Sequence, residues 1–340
     1  MRSKSDGTRD YPFWARLTFS LFHWIQEMGS IVIGRAEREV ARIASSIKGT
    51  VGVCAIHVES GRRIAVESES RFAMLSAYKV PIAAQYLNLL EATHASLDQS
   101  IEVARSDISP GSGTIAALLA SPGVHLSARN LIELMLRVSD NTASDIILRL
   151  AGGPAAVTRF MRGNGIADLN VDRSTKALLC DFYGIEEIVE EQWSVDEFNA
   201  RVAASTPETR SNARRNYLAD SRDTCTPASM ASLLALIRGG KILDEAHREL
   251  LLSIMNRCET GPARLKGALP PGTPVAHKTG TLEGCGANDV GIIQLPDELG
   301  NVAIAVLVKG AMRSLDEYER VIAQISRTAY DCFLFGGLEE

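Results

Sequence analysis

Residues 71–83 read RFAMLSAYKVPIA and place Ser76 and Lys79 three positions apart at the start of an apolar helical pattern. Positions i and i+3 share one face of a helix, so the spacing predicts that the Lys79 ammonium lies near the Ser76 hydroxyl. Desolvation among apolar neighbours lowers the pKa of a lysine and lets it activate a serine as a nucleophile. A helix-capping serine beside a solvated lysine would have the same spacing, so this stretch needs partners elsewhere in the chain.

A second short motif, Ser139-Asp140-Asn141, follows in the helical middle of the chain. Its serine could relay a proton between a lysine and a leaving nitrogen, and Asn141 could hold a substrate amide by a hydrogen bond. Asp140 is expected to fix the loop. The same three residues are also common at helix caps.

A third motif, Lys278-Thr279-Gly280-Thr281, lies on a predicted strand near the end of the chain. Lys278 and Thr279 are suited to binding a substrate carboxylate, one by charge and one by its hydroxyl. Lys278 would also be a second cation near Lys79 and would lower the pKa of that lysine further. Thr281 and the helix start at Ser76 could supply the donors for a developing oxyanion.

The predicted elements put strands at both ends of the chain and helices in the middle. Strands are predicted at 49–58, 63–67, 275–281, 289–295 and 302–309, and helices at 35–48, 76–91, 128–150, 155–163, 228–238, 245–258 and 317–333. This order predicts an α/β (α+β) fold, in which one antiparallel sheet built from both chain ends carries an inserted all-helical lobe. We expect an extension over 1–34 and one domain over 35–340, with a sheet lobe (35–75 and 228–340) and a helical lobe (76–227). The three motifs would meet in the cleft between the lobes.

Composition excludes several other classes of function. The 340 residues carry 36 basic and 41 acidic side chains without a polybasic block, so a nucleic-acid partner is not expected. The six cysteines are scattered without metal-ligand spacing, so neither a metal nor a cofactor is expected. Their even number would permit disulfides in an exported protein, but free core thiols are the commoner arrangement.

Residues 11–33 have the pattern of an amphipathic helix. Polar residues interrupt its apolar run, which is therefore too short for a membrane span, and no convincing signal-peptide cleavage site follows. The pattern is compatible with docking on the body of the protein, with a dimer contact, and with attachment to a membrane surface. The cellular compartment is not fixed by these residues.

Together the three motifs and their surroundings resemble the class A β-lactamase family. The segments that carry the resemblance are RFAMLSAYKVPIA, VSDNTASDIIL, AGGP, RDTCTP and VAHKTGTLEGCGANDVGII, in that order over roughly residues 35–335. The resemblance implies the serine β-lactamase and transpeptidase fold and a periplasmic or cell-envelope location. It further implies that Ser76 is acylated, that Lys79 activates it, and that the cleft partners are Ser139, Asn141, Lys278, Thr279, Gly280 and Thr281.

One part of the family pattern is altered. Asp172-Arg173 resembles the start of the family's Ω-loop and Asp223 its end, which predicts an ion pair between Arg173 and Asp223. In typical hydrolytic members a glutamate follows that Asp-Arg by two positions and holds the deacylating water, but this chain has Thr175 there. The loop, 172–227, is also longer than in the family and rich in acidic residues, of which Asp181 and Glu186 are the first candidates for a substitute base.

The missing glutamate leaves three functions open. The leading one is a serine hydrolase that opens β-lactam amides through an acyl-enzyme. The same residues would also serve a D-alanyl peptidase or esterase acting on acyl-peptide or ester substrates. A penicillin-binding sensor that is acylated once and does not turn over is the third. A positioned base contributes roughly 10² to 10⁴ in rate, so its loss would affect deacylation most.

Overall fold

The computed structural model describes residues 13–119, 121–186, 188–189, 192–310 and 314–336, without the side chains of residues 13–28. The strands are β1 (Thr50–His57), β2 (Arg63–Val66), β3 (Phe72–Ala73), β4 (Ser100–Glu102), β5 (His125–Ser127), β6 (Thr224–Cys225), β7 (Val275–Leu282), β8 (Gly286–Gln294) and β9 (Asn301–Lys309). The α-helices are α1 (Phe13–Ala44), α2 (Lys79–Thr93), α3 (Thr114–Leu118), α4 (Ala128–Arg137), α5 (Asn141–Leu150), α6 (Pro154–Gly163), α7 (Thr175–Tyr183), α8 (Val195–Ala204), α9 (Pro207–Ala219), α10 (Pro227–Arg238), α11 (Glu245–Asn256) and α12 (Leu315–Phe335).

A five-stranded antiparallel sheet joins the two ends of the chain, with the order β2-β1-β9-β8-β7. Strand β9 is β-branched and apolar, and its alternate residues face opposite sides of the sheet. Val302, Ile304 and Val306 belong to the core cluster formed with α1 and α12, whereas Ala303 and Ala305 face the cluster formed with α10 and the helical lobe. The α/β (α+β) fold predicted from the sequence is confirmed, with β7 at one edge of the sheet.

Two predicted helices begin or end differently in the structure. The chain around Ser76 is a 3₁₀ helix, Leu75–Tyr78, and α2 begins only at Lys79. The predicted helix over 128–150 is divided into α4 and α5 because Ser139 has a left-handed backbone, with φ of +61°. Asp140 then caps α5 by accepting a hydrogen bond from the Ala143 amide.

Helix α1 passes through Gly34 without interruption, where the sequence suggested separate helices before and after that glycine. Its C-terminal part packs on the sheet and on α12 through Ala36, Val40 and Ile43. This part of the helix therefore docks on the body of the protein. The side chains of residues 13–28, which carry most of the predicted amphipathic face, and residues 11–12 lie outside the described part of the chain.

The long segment 172–227 folds into helices α7, α8 and α9. Trp193 and Phe198 form a small apolar cluster with Cys180 and Ile188. The insert thus has a core of its own beneath its acidic surface, since burial of aromatic side chains stabilises it.

Candidate active site

Ser76 lies half-buried in a turn that is held against the edge strand β7. The residue before it, Leu75, has φ of +52°, a backbone conformation that is costly for a residue with a side chain. A Cβ atom built on Gly280 would lie 2.9 Å from the Met74 carbonyl oxygen and 3.0 Å from the Ser76 amide nitrogen. Glycine at 280 therefore permits the close approach between the serine turn and the strand.

Lys79 is fully buried and its ammonium is directed at the loop between α4 and α5. Its Nζ donates to the Ser139 carbonyl oxygen at 2.7 Å, to Ser139 Oγ at 3.2 Å and to Asn141 Oδ1 at 2.9 Å. Burial and the charge of Lys278 hold the pKa of Lys79 well below its usual value. The lowered pKa agrees with the sequence-based expectation.

The proximity of the Lys79 ammonium to the Ser76 hydroxyl stays a prediction. Within the described residues, the hydrogen bonds of Lys79 go to the loop at 139–141 and none goes to Ser76 Oγ. The expectation assumed that both residues lie on one α-helix, but Ser76 is in the 3₁₀ turn that precedes α2. Buried carbonyl and amide oxygens of the loop provide better acceptors for the ammonium.

Ser139 joins the two lysines. Lys278 is also fully buried, and its Nζ donates to Ser139 Oγ at 3.0 Å and to the Thr279 carbonyl oxygen at 2.8 Å. Burial lowers the pKa of Lys278 to about 8, while Cys258 and Asp289 raise it and Arg264 lowers it further. The hydroxyl of Ser139 thus has an ammonium group on either side, as a proton relay requires.

Asp140 and Asn141 order the same loop. Asp140 is buried and its Oδ2 accepts a hydrogen bond from the Ile115 amide at 2.8 Å, so the expectation that it fixes the loop is confirmed. The side-chain Nδ2 of Asn141 donates to the Pro110 carbonyl oxygen at 2.8 Å. A primary amide has two N–H donors, so one remains for a substrate carbonyl.

The opposite wall of the site is formed by β7. Thr279 Oγ1 lies 2.5 Å from Thr260 Oγ1, and the exposed Thr281 accepts a hydrogen bond from Arg264 Nη2 at 2.6 Å. Arg264 also donates to the carbonyl oxygens of Gly280 and Asn288, at 3.1 and 2.9 Å. Arg264 was not among the predicted site residues, because no spacing signal in the sequence relates it to β7.

The loop over 172–227 is closed by the predicted ion pair. Arg173 Nε lies 2.6 Å from Asp223 Oδ2, so this prediction is confirmed. Asp181 and Asp220 also pair with Arg173, at 2.5 and 3.1 Å. Asp181 further binds Arg222 at 2.9 Å, and Glu186 is exposed. The role of either carboxylate as a substitute base stays a prediction.

Thr175 occupies the place where the resemblance implies a glutamate, and it lies in a buried network. Tyr78 Oη is 2.5 Å from Thr175 Oγ1, and the Thr175 amide donates to Asp145 Oδ1 at 2.6 Å. Asp145 also accepts from the Ser109 hydroxyl at 2.8 Å, and burial raises the pKa of its carboxyl group. Asp145 was not among the predicted site residues, although it follows Asn141 by four positions and thus shares its helix face.

Comparison with known proteins places this site in a family. The model of the β-lactamase enzyme family matches residues 35–333. The chain belongs to the β-lactamase enzyme family. It is 29% identical to β-lactamase L2 of Stenotrophomonas maltophilia over 86% of this chain and 84% of that protein. It is 27% identical to the extended-spectrum β-lactamase PER-1 of Pseudomonas aeruginosa, over 90% of this chain and 85% of that one.

A solved structure agrees with this assignment to the β-lactamase family. The crystal structure of a β-lactamase from Chitinophaga pinensis is 29% identical and superposes with a TM-score of 0.71, covering 87% of this chain and 98% of that one. The resemblance inferred from the sequence motifs is therefore confirmed. In the part of the chain that the structure describes, every helix is too short or too polar to cross a lipid bilayer.

Proposed function

We propose that this protein is a serine β-lactamase-like hydrolase that opens β-lactam amides through an acyl-enzyme on Ser76. The observation that carries the proposal is the position of Ser139 Oγ between two buried ammonium groups, 3.2 Å from Lys79 and 3.0 Å from Lys278. Acyl transfer to nitrogen-containing substrates needs a nucleophile, a base and a path by which the leaving nitrogen is protonated. The site offers a residue for each.

In acylation, neutral Lys79 accepts the proton of the Ser76 hydroxyl, with one water able to bridge the transfer. Burial and the charge of Lys278 lower the pKa of Lys79 and so favour its neutral amine over the ammonium ion. Ser76 Oγ attacks the lactam carbonyl, and the amide N–H groups of Ser76 and Thr281 bind the oxyanion. The proton then moves from Lys79 through Ser139 Oγ to the lactam nitrogen as the C–N bond breaks.

Substrate binding uses the remaining polar groups of the cleft. Asn141 holds the amide side chain of the substrate through its second N–H, and Lys278, Thr279 and Thr281 bind the substrate carboxylate beside Gly280. Lys278 is buried, so its charge acts mainly through Ser139 and Thr279.

Deacylation must proceed without a carboxylate at position 175. Asp181 is engaged by two arginines, and the oxygens of Asp145 accept hydrogen bonds from Thr175, Lys176 and Ser109. We therefore assign Lys79, which is neutral again after acylation, as the base for the attacking water. A base that serves both steps is less well placed for the second, so deacylation should limit turnover.

The comparisons favour the hydrolase over the D-alanyl peptidase or esterase and over the penicillin-binding sensor, since the relatives reported above are named β-lactamases. The resemblance also supports a periplasmic or cell-envelope location, which fractionation of the native host would test. The division at residue 34 and the membrane-surface or dimer contact of residues 11–33 stay predictions.

The test follows the acyl adduct and the product together. The protein is mixed with a chromogenic cephalosporin, and intact mass and absorbance are recorded over time. We expect an adduct on Ser76, slow steady release of product, and neither signal in Ser76→Ala. Ser70→Ala, which removes an exposed serine hydroxyl bonded to Glu67, is the matched control and should behave as the native protein.

An adduct that persists without product would favour the sensor. Turnover of peptide or ester substrates in the absence of any lactam adduct would favour the peptidase or esterase. Unchanged turnover in Ser76→Ala would refute the nucleophile assignment.

A further inference from the structure

Behind the candidate active site, a cysteine, a histidine and an aspartate lie together in the interior. Cys258 follows α11, His277 is on β7 and Asp289 is on β8. All three are buried, and His277 Nδ1 lies 2.9 Å from each carboxylate oxygen of Asp289. The carboxylate holds Nδ1 and thereby fixes the orientation of the ring, including its second nitrogen, Nε2.

The thiol of Cys258 is a neighbour of this imidazole and contributes to raising its pKa. Among the described residues, buried His277 Nε2 has no hydrogen-bond partner. Burial alone lowers the pKa of His277, but the charge and hydrogen bond of Asp289 raise it to about 9. Burial would raise the pKa of Cys258, but the hydrogen bond and charge of His277, together with Lys278, lower it to about 7.

Four other cysteines of the chain differ from Cys258. Burial raises the pKa of Cys54 and of Cys285 to about 11 each, and it raises the pKa of Cys225 and of Cys332 as well. A thiolate, and not a thiol, is the nucleophile, so the lowered pKa favours reaction at Cys258 over these four cysteines. Cys332 is the more exposed one and provides the comparison for access.

The thiol is linked to the substrate-binding strand by hydroxyl groups. Cys258 Sγ lies 3.3 Å from Thr260 Oγ1, which lies 2.5 Å from Thr279 Oγ1. Thr279 is one of the residues that we assign to the substrate carboxylate. An oxygen added to the sulfur in this closely packed interior would have to displace Thr260.

We propose that Cys258, paired with His277 and Asp289, is an oxidation site for peroxides, and that its oxidation disables β7 as a binding wall through Thr260 and Thr279. The effect on catalysis rests on the proposed function, whereas the reactivity of the thiol does not. The thiolate sulfur attacks one peroxide oxygen, and the O–O bond breaks. The sulfur loses two electrons and becomes a sulfenic acid, and the departing hydroxide takes a proton from His277 to leave as water.

The experiment compares oxidation rates at the six cysteines in the native, full-length protein. The protein is treated with limiting hydrogen peroxide near pH 7, sulfenic acids are trapped with dimedone, and peptide masses are followed over time. We expect Cys258 to be oxidised at least about 100-fold faster than Cys54 and about tenfold faster than Cys332. His277→Asn, which keeps a donor for Asp289 but loses Nε2, should slow Cys258 at least tenfold.

Function is measured in the same samples as the rate of penicillin adduct formation on Ser76. This rate should fall in step with oxidation of Cys258, while Cys258→Ser should resist peroxide and keep its untreated rate within about threefold. Cys285→Ser is the matched control and should remain as sensitive as the native protein. The charged groups near the thiol are His277 and Lys278, with Asp289 and Arg264 beyond them, so these samples are compared at one pH.

Two outcomes would overturn the proposal. Preferential oxidation of Cys332 would mean that access, and not the imidazole, decides reactivity. Full oxidation of Cys258 with unchanged adduct formation would refute the link to Thr279. If the native protein forms no penicillin adduct at all, the proposed function fails, but hydrogen exchange of the β7 amides before and after oxidation still tests the link.

Discussion

The ion pair that closes the long loop allows a stability prediction of defined size. Arg173 and Asp223 side chains are 6% and 2% exposed and approach to 2.6 Å. Asp223 Oδ1 also accepts from the backbone amides of Asp172 and Arg173, at 2.7 and 3.1 Å. In Asp223→Asn the guanidinium stays buried with one charged partner fewer, and removal of one partner of a buried pair costs about 3 to 5 kcal/mol.

The structure places the expected cost at the lower end of this range. Asp220 and Asp181 still face Arg173 in the variant, and their side chains are 17% and 42% exposed. We therefore expect Asp223→Asn to reduce the free energy of unfolding by about 3 kcal/mol, measured by urea denaturation followed by circular dichroism. If the loop opens locally first, limited proteolysis within 172–223 should accelerate before global unfolding.

Asp168→Asn is the matched control for this measurement. Its ion pair with Arg71 has the same length, 2.6 Å, but the side chains are 38% (Arg71) and 53% (Asp168) exposed. Screened pairs of this kind contribute about 1 kcal/mol or less. Equal losses of stability in Asp223→Asn and Asp168→Asn, with no change in loop proteolysis, would refute the reasoning from burial.

Three further variants or conditions test the site. Thr175→Glu is combined with Asp145→Asn, which removes the like charge that faces position 175. The double variant should accelerate deacylation by about 10²-fold, measured as the rate at which the Ser76 adduct decays. An unchanged decay rate would show that deacylation does not lack a base at position 175. The pKa of Lys278 is lowered to about 8, so its ammonium group is present below that pH and lost above it. The kcat/KM for a carboxylate-bearing cephalosporin should therefore fall as the pH rises through about 8. A flat pH profile would contradict the assignment of Lys278 to the substrate carboxylate. Gly280→Ala brings a Cβ to 2.9 Å from the Met74 carbonyl oxygen, so acylation measured by stopped-flow should slow at least about tenfold, whereas an unchanged rate would show that the turn can shift freely.

The sequence was sufficient for the architecture and for the three motifs. Strand alternation and helix periodicity are local properties, so the five strands of the main sheet and most of the longer helices lie close to where they were predicted. The four short strands outside that sheet were not predicted. The Arg173–Asp223 pair was also predicted, because the family resemblance supplied both ends of the loop. These inferences needed only short segments and their order.

The details of the site depended on contacts between distant segments. The left-handed backbone at Ser139 and the 3₁₀ turn at Ser76 arise from capping and from the close approach of β7, neither of which leaves a periodic signal. Asp145 could have been found from its four-residue spacing after Asn141. The approach of Cys258 to His277 could not, since nothing in the sequence relates the end of α11 to a position on β7.

The most direct test of the central claim is the mass of the intact protein after brief mixing with penicillin. We expect a single added penicilloyl group on Ser76 that decays slowly to the free protein, and no added mass in Ser76→Ala. An unmodified native protein, or an adduct of equal size in Ser76→Ala, would contradict it.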